Sequence, residues 1–472
     1  MGEGAAEPRV GGEDPLSADR RTLVIAAAAM VVLIAVGVVS AAVFTRSACG
    51  AVTPELLTPD DGGPGVVDGQ VEATLADALP GLDEAQVTDL IDGLAALGGD
   101  DALAEEVVVD AVDVSAATGL TDLDGERVAI GHRLTVLHEP DGRQAAAAGP
   151  VAEVEDPAVV VGDGSTLYSL ALVNELTGQV DAIVPVSGGL EAGECFDTAQ
   201  VGISLAFHLD AADGELLVFR VDDDGDHPEV EVRDADGSVH SERIVLGAGP
   251  PGALAERLDG MLGQDLVVTA RRTRADEGPP AVQARDRASG DERWSVAPSE
   301  VAQLAPPGDE ALELSVVEVT DELVLVAVSR EDRRPVQLLA LDADDGSERW
   351  ISDLEAHGVP TSVGGHDGGL LVTAPRGGEE ESPTQQLLHL DLDDGSPTLL
   401  AASDGEWARA ASGPDGRVWL GVGGSLTLTL AAEGEQRTTT LPVEVADLVA
   451  TEGGLVVLLR DGDDGAVVWL EP

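Results

Sequence analysis

One hairpin module recurs along most of this chain and restricts its fold more than any other property. A copy reads as an apolar strand, a polar gap, a second strand, an acidic turn ending in Gly, and a third strand. The clearest copies are residues 282–296 (VQARDRASGDERWSV), 337–351 (QLLALDADDGSERWI) and 387–400 (LLHLDLDDGSPTLL). Residues 134–149, 167–184, 229–245 and 426–441 follow the pattern more loosely. Asp and Asn bond their own backbone in turns, and Gly takes the positive φ that ends the turn, so an acidic-Gly pair between alternating strands marks a hairpin. The seven turn glycines are Gly142, Gly178, Gly237, Gly290, Gly346, Gly395 and Gly434. Their spacing of roughly 35 to 60 residues is that of propeller blades rather than of helical solenoids.

The expected fold is therefore an all-β propeller over residues 104–472. Abundant Gly, at 57 residues, suits many short strands, and aromatics at 2% leave an aliphatic core. After the seventh hairpin, residues 455–460 and 466–470 supply only half a blade. A propeller must close or expose strand edges, so the missing outer strands should come from residues 105–114 (EEVVVDAVDV). Eight blades follow, with seven as the alternative.

Ahead of the array, residues 22–44 (TLVIAAAAMVVLIAVGVVSAAVF) carry no charge and are long enough to cross a hydrocarbon core of about 30 Å as one transmembrane helix. Arg20 and Arg21 precede it and Arg46 follows, which puts residues 1–21 in the cytoplasm and the propeller outside, in a single-pass protein of the cytoplasmic membrane. A cleaved signal peptide is the competing reading of the same stretch. Residues 45–103 read as a linker with a short amphipathic helix. Asp83 caps it, and Val87, Leu90, Ile91, Leu94 and Leu97 share one face, for a partner or for the propeller itself. Cys49 and Cys195, the only cysteines, would both be outside, as a disulfide or as two free thiols.

With 89 acidic residues against 26 basic ones, the net charge of −63 repels nucleic acid and anionic lipid alike. Attachment to a bilayer then requires the apolar segment. Salt adaptation and a coding bias toward Asp, Gly, Ala and Arg both account for this balance.

The segments LLALDADDGSERW and VQARDRASGDERW resemble the pyrroloquinoline-quinone-like (PQQ-like) β-propeller repeat, with Trp294 four residues after Gly290 and Trp350 four after Gly346. In that family the Trp docks neighbouring blades, and the resemblance implies that structural role for Trp294 and Trp350, with Gly290, Gly346 and Gly395 as turn residues. It also implies quinone-dependent oxidation in some members and mere scaffolding in others. The chain departs from the enzymes: it has no Lys to meet a quinone, and its cysteines are not adjacent. No catalytic motif of hydrolases, zinc enzymes or nucleotide-binding proteins is present. Acidic turns containing Asp222, Asp224, Asp226, Asp342, Asp344, Asp391 and Asp393 are the one candidate ligand set, for Ca²⁺, and solvated turns explain them equally. The expected function is a non-catalytic module that binds a protein or peptide outside the membrane. A quinoprotein oxidoreductase and a ligand sensor are the alternatives.

Overall fold

A computed structural model describes residues 71–98, the strands between 108 and 470, and the turns best placed among them. The stretch 22–44, both cysteines and Asp222, Asp224 and Asp226 lie outside the described residues. Within them no helix is long and apolar enough to cross a membrane.

The described strands form eight four-stranded antiparallel sheets, each built from consecutive strands except the last. Sheets 1, 2 and 3 lie within residues 119–148, 159–197 and 210–245. Sheet 4 runs from Leu258–Leu262 through Leu266–Arg271 and Ala281–Asp286 to Glu292–Val296. Sheet 5 comprises Leu312–Val319, Leu323–Arg330, Val336–Asp342 and Glu348–Ala356; sheet 6 comprises Thr361–His366, Gly369–Arg376, Thr384–Asp391 and Pro397–Asp404. Sheet 7 holds Ala408–Ser412, Arg417–Val422, Ser425–Leu430 and Glu435–Thr440. Sheet 8 holds Glu444–Thr451, Gly454–Asp461 and Asp464–Leu470, and its fourth strand is Val108–Asp113, from the start of the array.

The first strand of each sheet touches the first strand of the next, and that of sheet 8 returns to that of sheet 1. First strands thus ring a centre and fourth strands lie outside, which is the architecture of a propeller. In sheets 4 to 8 the second strand is buried on both faces and reads as a nearly continuous apolar run. Alternation divides that run between two neighbours. In sheet 5, Val324, Val326 and Val328 pack with sheet 4, whereas Leu323, Leu325 and Ala327 pack with sheet 6. In sheet 8, Leu455, Val457 and Leu459 face sheet 7, whereas Val456 and Leu458 join a cluster that reaches Leu120 of sheet 1.

Closure follows the expected route with two corrections. Val108–Asp113 pairs antiparallel with Asp464–Leu470, from Val108 opposite Trp469 to Asp113 opposite Asp464. The C-terminal segment contributes three strands rather than two, because Glu444–Thr451 also belongs to the sheet, so one strand and not several is borrowed. Glu444–Thr451 escapes the hairpin pattern because Glu444 and Asp447 interrupt its apolar run. Gly178 is the second correction. It lies between the second and third strands of its sheet, whereas the glycines of the three clearest copies follow the third strand.

Two helices, α1 (Val71–Ala78) and α2 (Glu84–Gly98), lie over this closure. Asp83 Oδ1 accepts from the Gln86 N–H at 2.9 Å, and Gln86 Oε1 accepts from the Asp83 N–H at 3.0 Å, a reciprocal capping box. Helix α1 touches the borrowed strand and its neighbour, and α2 touches the outer strand of sheet 7. Leu75, Leu79, Leu90, Leu94 and Leu97 are buried in one cluster with Trp419, Leu428, Leu441 and Val445. The apolar face of α2 is therefore occupied by its own propeller, and the alternative of a free helix for a partner is corrected.

Candidate interaction site

Antiparallel connection gives the ring two ends. The first-to-second and third-to-fourth turns of every sheet lie at one end; the second-to-third turns and the crossovers to the next sheet lie at the other.

At the first end the acidic turns are self-contained. Asp342 Oδ1 accepts from the Asp344 N–H at 2.9 Å, and its Oδ2 accepts from Arg349 at 2.8 Å. Asp286 likewise takes the Ser289 N–H at 2.9 Å and Arg293 at 2.6 Å. Asp391 accepts from the Asp393 N–H at 2.8 Å. These bonds favour the carboxylate, so Arg293 and then Ser289 hold Asp286 down at about 2, and Arg349 lowers Asp342. Asp344 and Asp393 place their backbone N–H groups in these turns. Among the described residues no three His, Cys, Asp or Glu side chains stand together as a metal-ligand group.

The same turns receive the tryptophans. Trp294 of sheet 4 donates its indole N–H to the Ala343 carbonyl of sheet 5 at 2.9 Å, and Trp350 of sheet 5 donates to Leu392 of sheet 6 at 2.9 Å. Each ring lies on the turn glycine of the following sheet. A Cβ at Gly346 would stand 2.7 Å from Trp294, and one at Gly395 would stand 2.3 Å from Trp350; both glycines also have φ near +70°. The repeat motif is thus one joint divided between two sheets, with the aromatic on one and the flat seat on the next. Gly290 occupies the equivalent turn of sheet 4 with φ 74°.

Nearer the centre, bulges aim acidic side chains across the sheet boundaries. The ladder shifts between Val316 and Glu318 in sheet 5 and between Val445 and Asp447 in sheet 8. Ser362 of sheet 6 donates its hydroxyl to Glu318. Asp447 joins three sheets: it accepts the Leu120 N–H of sheet 1 at 2.8 Å, and Arg409 of sheet 7 stands 3.5 Å away. Burial pushes both carboxyls up, against the lowering effect of these partners. Farther along, His366 Nδ1 lies 3.2 Å from Ser412 Oγ of sheet 7. Sequence reasoning missed Glu318 and Asp447, although each interrupts a run of apolar residues within its strand.

The second end carries the most exposed large apolar side chain among the described residues. Of the five tryptophans, Trp294, Trp350, Trp419 and Trp469 are buried, and Trp407 is 73% exposed. It lies in the crossover from sheet 6 to sheet 7. That crossover is held on both sides: the Gly405 carbonyl accepts from the Gln385 amide of sheet 6 at 3.2 Å, and Gly405 abuts Val422 of sheet 7 so closely that a Cβ would stand 2.5 Å from it. Trp407 was also missed. Its signal was local: it stands outside the Gly-plus-four register, among Asp404, Glu406 and Arg409, whereas Trp419 and Trp469 sit in apolar runs.

No protein-family profile matches the chain, and no curated protein matches it in sequence. Solved structures similar in fold include BamB from Moraxella catarrhalis, at 12% identity and a TM-score of 0.45, covering 77% of this chain and 100% of that one. The quinohemoprotein alcohol dehydrogenase of Comamonas testosteroni matches at 11% identity and a TM-score of 0.49, covering 85% and 84%. Sqt1 of Saccharomyces cerevisiae matches at 11% identity and a TM-score of 0.49, covering 78% and 98%.

Proposed function

We propose that this chain is an eight-bladed propeller, held at the outer face of a cytoplasmic membrane by residues 22–44, that acts as a non-catalytic scaffold for a protein or peptide. The observation that carries the reading is Trp407. A large aromatic left exposed on a crossover anchored to two sheets gains nothing for the fold and is the kind of group that anchors an interface. The PQQ-like repeat supplies joints rather than chemistry here, because Trp294 and Trp350 are spent on neighbouring glycines. A quinone finds a poor fit in this donor set, with no Lys in the chain and Cys49 and Cys195 far apart in sequence.

Crosslinking in intact cells through a photoreactive residue at position 407, followed by identification of the adducts, tests the scaffold. A discrete protein adduct absent when the probe is moved to the buried position 419 is the expected result. Adducts to nothing but lipid or water would overturn it. Protease treatment of intact cells tests the topology, because the array is cut or shed only if it lies outside.

A further inference from the structure

We infer that the crossover end of the propeller at Trp407 receives an arginine- or lysine-bearing peptide segment, with the cation over the indole face. This rests on the scaffold reading and names the chemistry of its partner. Among the described residues the exposed large apolar side chains are Trp407 and Leu399. Leu399 lies in the outer strand of sheet 6, whereas Trp407 directly precedes the innermost strand of sheet 7. Among the described residues Trp407 thus has no second exposed large apolar side chain beside it, and an oily partner helix would gain only one such contact.

Charge selects the partner instead. Asp404, three residues before Trp407, is exposed, and so is Glu444, which opens the adjacent first strand of sheet 8 at the same end of the ring. Arg409, two residues after Trp407, is drawn toward Asp447 at 3.5 Å. An exposed indole that shares its end of the ring with Asp404 and Glu444 attracts a guanidinium or ammonium group twice, through the ring quadrupole and through the acids. The field of a chain at −63 repels acidic partners and speeds the arrival of basic ones. The anchoring of Gly405 to Gln385 and Val422 holds the ring in place before binding, which reduces the ordering cost.

The test uses the full chain in detergent at one fixed ionic strength, with a synthetic peptide of alternating Gly and Arg as probe and one of alternating Gly and Gln beside it. The Arg peptide should bind and the Gln peptide should not. Trp407→Ala should weaken binding about two- to fivefold, the size of an exposed cation–π contact, with Trp407→Phe between. Leu399→Ala, also exposed but outside the site, should change nothing. Equal affinity in Trp407→Ala would show that the peptide is attracted by net charge alone, and equal binding of the Gln peptide would show that cations are not selected; either overturns the inference. The two readings fail separately. A cellular protein crosslinked at position 407 through a segment without Arg or Lys leaves the scaffold standing and removes this partner.

Discussion

Sheets 4 to 6 and sheets 7, 8 and 1 solve the same packing problem by different means. Between sheets 4 and 5, and between 5 and 6, the joint is written within one module: a Trp four residues after a turn glycine, seated on the next turn glycine. Where the ring closes, the partners are more than 300 positions apart, and no module can carry both. There the chain uses a borrowed strand, a helix pair and the half-buried Asp447. Local joints can be copied; a closure must be made once, by whatever side chains lie at both ends.

The sharpest way to break this comparison is to remove the borrowed strand. Deleting residues 108–113 leaves Asp464–Leu470 as an open edge above an apolar face, and loss of the single cooperative transition in circular dichroism melts is expected. A ring whose joints were all equivalent would instead lose only a fraction of its stability. Next, Trp350→Ala opens a local joint, and a loss of about 3–5 kcal/mol is expected in urea unfolding. Leu90→Ala, under the helix pair, should cost about 2–5 kcal/mol and act on sheets 7 and 8. Hydrogen exchange separates the two, since Trp350→Ala should expose amides in sheets 5 and 6 first. Gly395→Ala drives a methyl group into the Trp350 ring from a backbone at φ +72°, and a loss of about 1–3 kcal/mol is expected.

The smallest effect is a difference in pH dependence. Asp286 sits at about 2 in the folded state, below the unfolded carboxylate value of about 4. Its stabilisation is fully present above about 4 and fades as pH falls toward about 2. Asp447 has the opposite sign. Its raised folded value means that the native state holds the proton more tightly, so stability declines as pH climbs from about 4 through that value and is level above it. Asp286→Asn should flatten the acid side of the stability profile, and Asp447→Asn, which keeps an acceptor for Leu120, should flatten the limb just above it. Urea midpoints across a pH series check both, and matching changes in the two variants would erase the distinction between joint and closure.

The local joints were legible because they are short. The spacing of Gly346 and Trp350 is visible in one line of sequence, and so is the face shared by Val87, Leu90 and Leu94. The partners of those groups were less legible. Nothing around Trp294 says that its ring meets Gly346, since that contact depends on sheet-to-sheet distance rather than on spacing. Residues 105–114 could be matched to the last sheet only because a ring has to close. Its inner strand was lost because Asp447 breaks the apolar pattern by which strands are recognised, and it does so because it reaches across the boundary. Trp407 was hidden for a similar reason: it obeys no period.

The helix pair occupies the stretch of chain directly ahead of the borrowed strand, with Gly98 and Val108 the flanking residues. A pull applied to the chain before Val71 meets α1 and α2 first, and their leucines must be sheared from sheets 7 and 8 before any load reaches Val108. The helices thus serve as a strain relief for the seam at which the ring closes, as a clamp on a cable spares its solder joint.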